Sequence, residues 1–287
     1  PSQVPFIIGN EAAERFSFYG MRNILTIFLA QYLFIDLAEP LRGPEAKEVF
    51  HIFVMGVYFF PLLGGWIADR LWGKYQTIFW LSILYFVGQA TLVFFVDSKI
   101  GFYWGLVLVA LGSGGIKACV SAFVGDQFDQ SNKHLAKIVF DAFYWSINFG
   151  SFFASLIIPR ILDQGSARWA FGIPAILMGA AIIVFWGGRR RYVVVPPAPA
   201  DPHSFLRVCW TTLTRQTADQ PMRRRMLGSM MAGLGLVGAV TSVAAASVLG
   251  TVAAICLAIV VFFFGAGLGV WIQIDNAKQH HPIEAVT

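Results

Sequence analysis

Charge is what this sequence has least of. Asp, Glu, Lys and Arg make up 13% of its 287 residues, against about 25% in a soluble globular domain. With 57% hydrophobic residues and a mean hydropathy of +0.65, the composition excludes a water-soluble domain and points to an integral membrane protein. Cysteine is equally scarce. Cys119 and Cys256 lie in apolar stretches and Cys209 in a polar one, without metal-like spacing or an evident pair, so free thiols are expected. His, Cys and acidic residues are not clustered as a ligand set, and no Ser-His arrangement stands at span depth, which argues against a membrane enzyme. The net charge of +5 does not indicate a nucleic-acid partner, because the basic residues flank apolar spans instead of forming an aromatic-interleaved patch. The N-terminus shows no cleavable signal pattern. No cofactor and no metal are expected.

What is present is apolar sequence in span-length blocks. A crossing helix needs about 20 such residues, and spans are expected near 10–35, 50–68, 75–96, 101–124, 139–159 and 169–188. A polar, Pro-containing segment follows from Arg189 to Arg225. Met226 to Ile274 then contains no Asp, Glu, Lys, Arg or His, enough for two crossings and too long for one. Its first half is rich in Gly, Ala and Ser, which lets helices approach closely, so a hairpin turning near 247–252 is expected. The fold class is therefore all-α integral membrane, a six-helix bundle followed by an extra transmembrane hairpin. The expected domains are a bundle over 1–191, a cytoplasmic linker over 192–227, a hairpin over 228–275 and a cytoplasmic connection over 276–287. With the N-terminus inside, the inner loops hold twelve Lys and Arg residues and the outer loops five. That bias places the N-terminus in the cytoplasm.

The few charges within the spans are not scattered. At 100° per residue, Glu11, Glu14, Arg15 and Arg22 fall at about 0°, 300°, 40° and 20°, with Tyr19 near 80°. All four charges share one face of the first helix. A charge at bilayer depth costs roughly 2.5–3.5 kcal/mol on insertion scales and faces a bundle interior or a wet cavity. A structural ion pair would need only one acid and one base. Lys117 stands between two apolar runs of the fourth span, too deep to snorkel easily, and its most available acidic partners are Glu11 and Glu14. Two acids against Arg15, Arg22 and Lys117 leave a surplus positive charge, which an anionic group of a substrate would offset. Asn148 in the fifth span suits a backbone amide or an amine, and equally a neighbouring helix. Tyr58 lines a pore or a packing seam. His51, at the expected outer end of span 2, suits an interface or, with a pKa near 6.5, a proton entry point. The turn Asp69-Arg70…Gly73-Lys74 reads as a conformational element and not a ligand site.

Together these stretches resemble the proton-coupled oligopeptide transporter (POT/PTR) family of the major facilitator superfamily. Glu11 to Gly20 is similar to the family's E-x-x-E-R-F-x-Y-Y-G, with Phe18 in place of the first Tyr. Gly115 to Phe128 resembles its span 4 signature around G-G-I-K-P, with Ala118 where Pro is usual. Phe143 to Ser151 resembles F-Y-x-x-I-N-x-G-S, and the Asp69–Lys74 turn resembles the superfamily's loop between spans 2 and 3, with one extra residue before the glycine. The hairpin is similar to the helix pair that bacterial members insert between their two bundles.

The resemblance implies a fold and roles. The fold is the N-terminal bundle of a major facilitator transporter, whose site lies near the bilayer midplane between repeats, this superfamily being one of the known examples. The activity is proton-driven symport of di- and tripeptides across the cytoplasmic membrane by alternating access, with protons as the coupling ion. Glu11, Glu14, Arg15, His51 and Lys117 are implied in proton coupling. Arg15, Tyr19, Arg22, Tyr58, Lys117, Tyr144 and Asn148 are implied in peptide binding, and Asp69, Arg70 and Gly73 in conformational change. The implied partners are small peptides, protons, the lipid bilayer and a missing C-terminal six-helix bundle, which in the family supplies acids for the peptide amine and the outer gate. Two other readings remain open: the same fold carrying nitrate or another organic anion, and a non-transporting peptide sensor.

Overall fold

The computed structural model describes residues 1–198, 204–215, 222–278 and 280–282. Parts of the expected linker (192–227) and of the expected connection (276–287) lie outside these described residues. The chain divides into two compact units, Pro1–Ala198 and Pro199–Thr287. Among the described residues there is helix and no strand.

The first unit holds six long helices: α1 (Val4–Phe28), α2 (Glu39–Ile67), α3 (Lys74–Phe94), α4 (Lys99–Gly125), α5 (Ala136–Asp163) and α6 (Ala167–Gly187). Two helices start earlier than their apolar runs suggest, α1 six residues before position 10 and α2 eleven before position 50. Each carries a proline in its first turn, Pro5 and Pro40, where a fixed φ and a missing N–H suit a helix start. The start is thus set by local backbone chemistry and not by hydropathy. Ser98 caps α4, its side chain accepting from the Gly101 amide at 3.4 Å.

α1 packs on α5 and α6, α2 on α4, and α3 on both α4 and α6. Glycine decides how close the helices come. A Cβ at Gly64 of α2 would collide with the backbone of Gly115 on α4, and one at Gly150 of α5 would sit 2.6 Å from the Ala12 carbonyl of α1. The glycines ahead of Lys117 are therefore packing residues that seat α4 against its neighbours. Phe28, Phe102 and Phe171 meet with centroids 4.9–5.4 Å apart. Tyr75, Phe123, Phe185 and Tyr192 form a second aromatic cluster.

The bundle does not end at Arg191. Tyr192 is buried and donates to the Phe185 carbonyl at 2.9 Å, and burial pushes its phenol above the ordinary range. Gln127, past the end of α4, donates to the Val193 carbonyl at 3.1 Å and accepts from its amide at 2.9 Å. The Ala198 amide donates to the Asp69 carbonyl at 2.8 Å. Residues 192–198 thus form a strap tied at both ends, which moves the edge of the compact unit from position 191 to Ala198.

The second unit contains α7 (Phe205–Thr214), α8 (Met222–Ala244), α9 (Ala246–Leu249), α10 (Thr251–Ile272) and α11 (Ile274–Lys278). The expected linker therefore carries a helix of its own, and α8 begins six residues before position 228. The hairpin turns at Gly250, which has φ +80°. α8 and α10 pack backbone to backbone: a Cβ at Gly235 would lie 2.8 Å from the Gly265 Cα, and one at Gly269 would lie 2.6 Å from the Gly228 carbonyl. Among the described residues seven helices are long and apolar enough to cross a membrane. α1, at 25 residues, is long enough but is not in that set, and it carries four charges besides uncharged polar residues such as Asn10 and Asn23.

Candidate functional site

The site is built on α1. Glu11 and Glu14 are fully buried, and Arg15 is 13% exposed between them. Arg15 Nε donates to Glu11 Oε1 at 2.6 Å, an (i, i+4) contact along the helix, and stands 3.4 Å from Glu14 Oε2. One guanidinium therefore faces two carboxylates and is bonded mainly to the first. Neither oxygen of Glu14 has a hydrogen-bond partner among the described residues, nor does Glu11 Oε2. The seat for this cluster is a set of small residues. α5 brings Gly150 and Ala154 against α1, and α6 brings Pro174 against Gly20.

Lys117 is not paired as the sequence suggests. No carboxylate lies within ion-pair distance of it among the described residues. Its Nζ lies 3.3 Å from the centroid of the Phe18 ring, close enough for a cation–π contact. Glu14, Arg15, Glu11 and Arg22 are its charged neighbours. Arg15 holds Glu11 and the Phe18 ring covers the ammonium, while both oxygens of Glu14 stay without a hydrogen bond among the described residues. Phe18 itself packs edge-on against Tyr19 and tilted against Phe53 of α2. The position at which a Tyr hydroxyl is absent is thus the one on which the lysine rests.

The other named residues separate into two groups. Arg22 lies 5.8 Å from the Phe50 ring, which also meets the His51 ring edge-on at 5.6 Å. His51, Tyr58, Tyr144 and Asn148 are exposed. Asn148 Nδ2 donates one turn back to the Tyr144 carbonyl at 2.9 Å, so one of its two N–H donors is committed to its own helix. Asp69, Arg70 and Gly73 lie in the turn after α2. There a π-helical turn (Ala68–Trp72) runs into Gly73 at φ +77°, a conformation that favours glycine. Lys74 bonds both oxygens of Asp126 at 2.8 Å, tying this turn to the end of α4. Among the described residues no group of three or more His, Cys, Asp or Glu side chains could hold a metal ion.

Sequence reasoning missed a set of neutral polar residues: Asn10, Ser17, Ser82, Tyr85, Gln89 and Ser113 are all buried. Their spacing carried the signal, because Asn10, Glu14 and Ser17 share one helical face, as do Ser82, Tyr85 and Gln89.

The profile of the POT family (PTR2) matches residues 75–249. The chain belongs to the POT family. It is 42% identical over 213 residues to "Peptide transporter family 1" of Drosophila melanogaster, covering 69% of this chain and 28% of that one. It is 38% identical over 223 residues to "Solute carrier family 15 member 2" of Danio rerio, covering 73% and 30%. Among solved structures, the POT family transporter PepTSo shares 53% identity and a TM-score of 0.92, over 100% of this chain and 56% of that one. An auto-inhibited POT family peptide transporter shares 52% identity and a TM-score of 0.89, over 100% and 55%. The chain thus spans about a third or less of the curated relatives it matches and just over half of the solved chains.

Proposed function

We propose that these helices belong to a proton-coupled symporter of di- and tripeptides that works by alternating access in the cytoplasmic membrane, with the N-terminus inside. Membership of the POT family and the similarity to proteins named peptide transporters support peptides as the substrate class. The observation that carries the reading is the unequal sharing of charge: Arg15 is held at 2.6 Å by a buried glutamate while Lys117 rests on an aromatic ring. A half-buried cation without an ion-paired acid among the described residues suits the carboxylate terminus of a peptide.

In the cycle, the ionised Glu11 and Glu14 hold Arg15. Protonation of the cluster weakens that hold, and Arg15 joins Lys117 in receiving the peptide carboxylate. Tyr19, Arg22, Tyr58, Tyr144 and Asn148 line the remainder of the peptide site, and His51 serves proton entry. Asp69, Arg70 and Gly73 act in the conformational change, and a second six-helix bundle closes the cavity. A coupling of about 1–3 kcal/mol between proton and peptide occupancy suffices. The test is proton-driven uptake of dialanine into liposomes by the full-length protein. Lys117→Ala is expected to abolish it, and intact uptake in that variant refutes the charge competition. The surplus positive charge also suits a small anion, so nitrate is added as a competitor. Displacement of labelled dipeptide by nitrate at comparable concentration favours the anion reading.

A further inference from the structure

Behind the charged cluster lies a buried polar seam that the cycle above does not use. Asn10, Glu14 and Ser17 stand on one face of α1, each with no solvent exposure. On α3, Ser82, Tyr85 and Gln89 occupy one face, and Ser113 of α4 is fully buried as well. α3 and α4 are in backbone contact here, since a Cβ at Gly112 would lie 2.5 Å from the Tyr85 amide nitrogen.

Tyr85 is the hub. Ser17 Oγ donates to its hydroxyl oxygen at 3.5 Å, and Gln89 Nε2 donates to the same atom at 3.2 Å. Gln89 donates to the phenol oxygen, and the phenol still has its own proton to give to an acceptor. The candidates are both oxygens of Glu14, Gln89 Oε1 and Asn10 Oδ1, all buried and without a hydrogen-bond partner among the described residues. The Ser82 and Ser113 hydroxyls are in the same condition. Buried polar atoms in such number are characteristically satisfied by internal water. Glu14 is the only carboxylate among the candidates, and it stands one turn before Ser17, whose Oγ lies 3.5 Å from the Tyr85 hydroxyl. The other titratable groups facing Glu14 are Glu11 and Arg15 on α1 and Lys117 on α4. The faces that α2, α5 and α6 turn to α1 hold Phe53, Gly150, Ala154, Ile158 and Pro174, none of which titrates.

We propose that this seam is a water site between α1, α3 and α4, and that Tyr85 is a positioning residue that hydrogen-bonds the Glu14 carboxylate through that water. The proposal rests on the reading of Glu14 as part of the proton-coupling cluster. Tyr85 then sets the pH at which the cluster releases Arg15.

The experiment uses the full-length protein in lipid vesicles and two readouts. The first is the acid-minus-base infrared difference spectrum without peptide, in which the Glu14 carboxyl band is identified by its loss in Glu14→Gln. Tyr85→Phe is expected to move that band to higher frequency and to remove an oxygen-isotope-sensitive water band. The second is the pH profile of dialanine uptake, whose midpoint is expected to rise by roughly 0.5–1 pH unit in Tyr85→Phe. Ser17→Ala, a smaller change, is expected to shift both readouts the same way by less, and stands in if Tyr85→Phe does not fold. Intact uptake with the bands and the midpoint unmoved overturns the inference, as does a spectrum with no Glu14 band. Moved bands without uptake support the inference and count against the transport reading alone.

Discussion

α1 and α10 are close in length, 25 and 22 residues, and they use burial in opposite ways. α1 buries twelve residues, among them two glutamates, an asparagine and a serine. α10 carries no charge and buries only Ala254, Ala258 and Gly269. In lipid, apolar side chains gain nothing by leaving the solvent, so a helix such as α10 is held by backbone approach at small residues. A helix with charges has to be enclosed, since each one exposed to hydrocarbon is costly. α1, with its four charges, is therefore also one of the two most enclosed helices of the bundle, α4 alone burying more residues.

The largest expected effect tests that enclosure. Arg15→Ala leaves two buried carboxylates without their cation and should cost about 3–5 kcal/mol of stability, the range for breaking a buried pair. Thermal unfolding in detergent reads this. A further exchange of Glu11 and Glu14 to Gln should recover most of the loss, and a loss below about 1 kcal/mol in the single variant would break the contrast with α10.

Gly115→Val comes next, because a Cβ there collides with Leu81. Overpacking of this kind costs about 1–3 kcal/mol and should lower the unfolding temperature of the bundle. Gly265→Val, whose Cβ meets the Gly235 backbone, should open the hairpin and quicken amide exchange in α8 while leaving the unfolding of the bundle unchanged. A common loss in both variants would show that the two units unfold as one.

A smaller effect falls on the strap. Gln127→Leu removes both hydrogen bonds to Val193 and should weaken it by about 1–2 kcal/mol, read as roughly tenfold faster exchange of the Val193 amide. The smallest concerns Asp36, whose carboxyl is held below its usual range by the hydrogen bond from Lys99. A carboxyl depressed in the folded state contributes stability above its unfolded pKa, and that contribution is lost as pH falls through the folded value. Asp36→Asn should flatten the acid side of the stability profile slightly, measured as the difference in melting temperature between neutral and acid buffer. Both groups are at the surface, so a shift as large as that of Arg15→Ala would contradict the difference between enclosed and exposed charge.

Much of the fold was legible in the sequence because apolar runs of span length have few structural solutions in lipid. The hairpin turn expected near 247–252 sits at Gly250, and the glycines before Lys117 were visible as small residues. Helix starts were less legible, since Pro5 and Pro40 lie in segments that hydropathy treats as loop. The strap was not legible at all, because a Gln that imitates a strand partner looks like any polar residue after a helix. Within the site, the common face of Glu11, Glu14, Arg15 and Arg22 follows from helical geometry alone. That Lys117 meets Phe18 instead of a glutamate does not, because it depends on how α4 lies beside α1.

By itself, then, the order of residues determined that this chain crosses a membrane several times and that α1 carries its charges on one face. Those are properties of one-dimensional spacing and of the cost of burying charge. Only the tertiary structure decided that Arg15 belongs chiefly to Glu11, that the Lys117 ammonium lies on Phe18, and that Ser17 meets the Tyr85 hydroxyl. These contacts join residues far apart in the chain, and their partners are selected by how closely glycines such as Gly64, Gly112 and Gly150 let the helices approach.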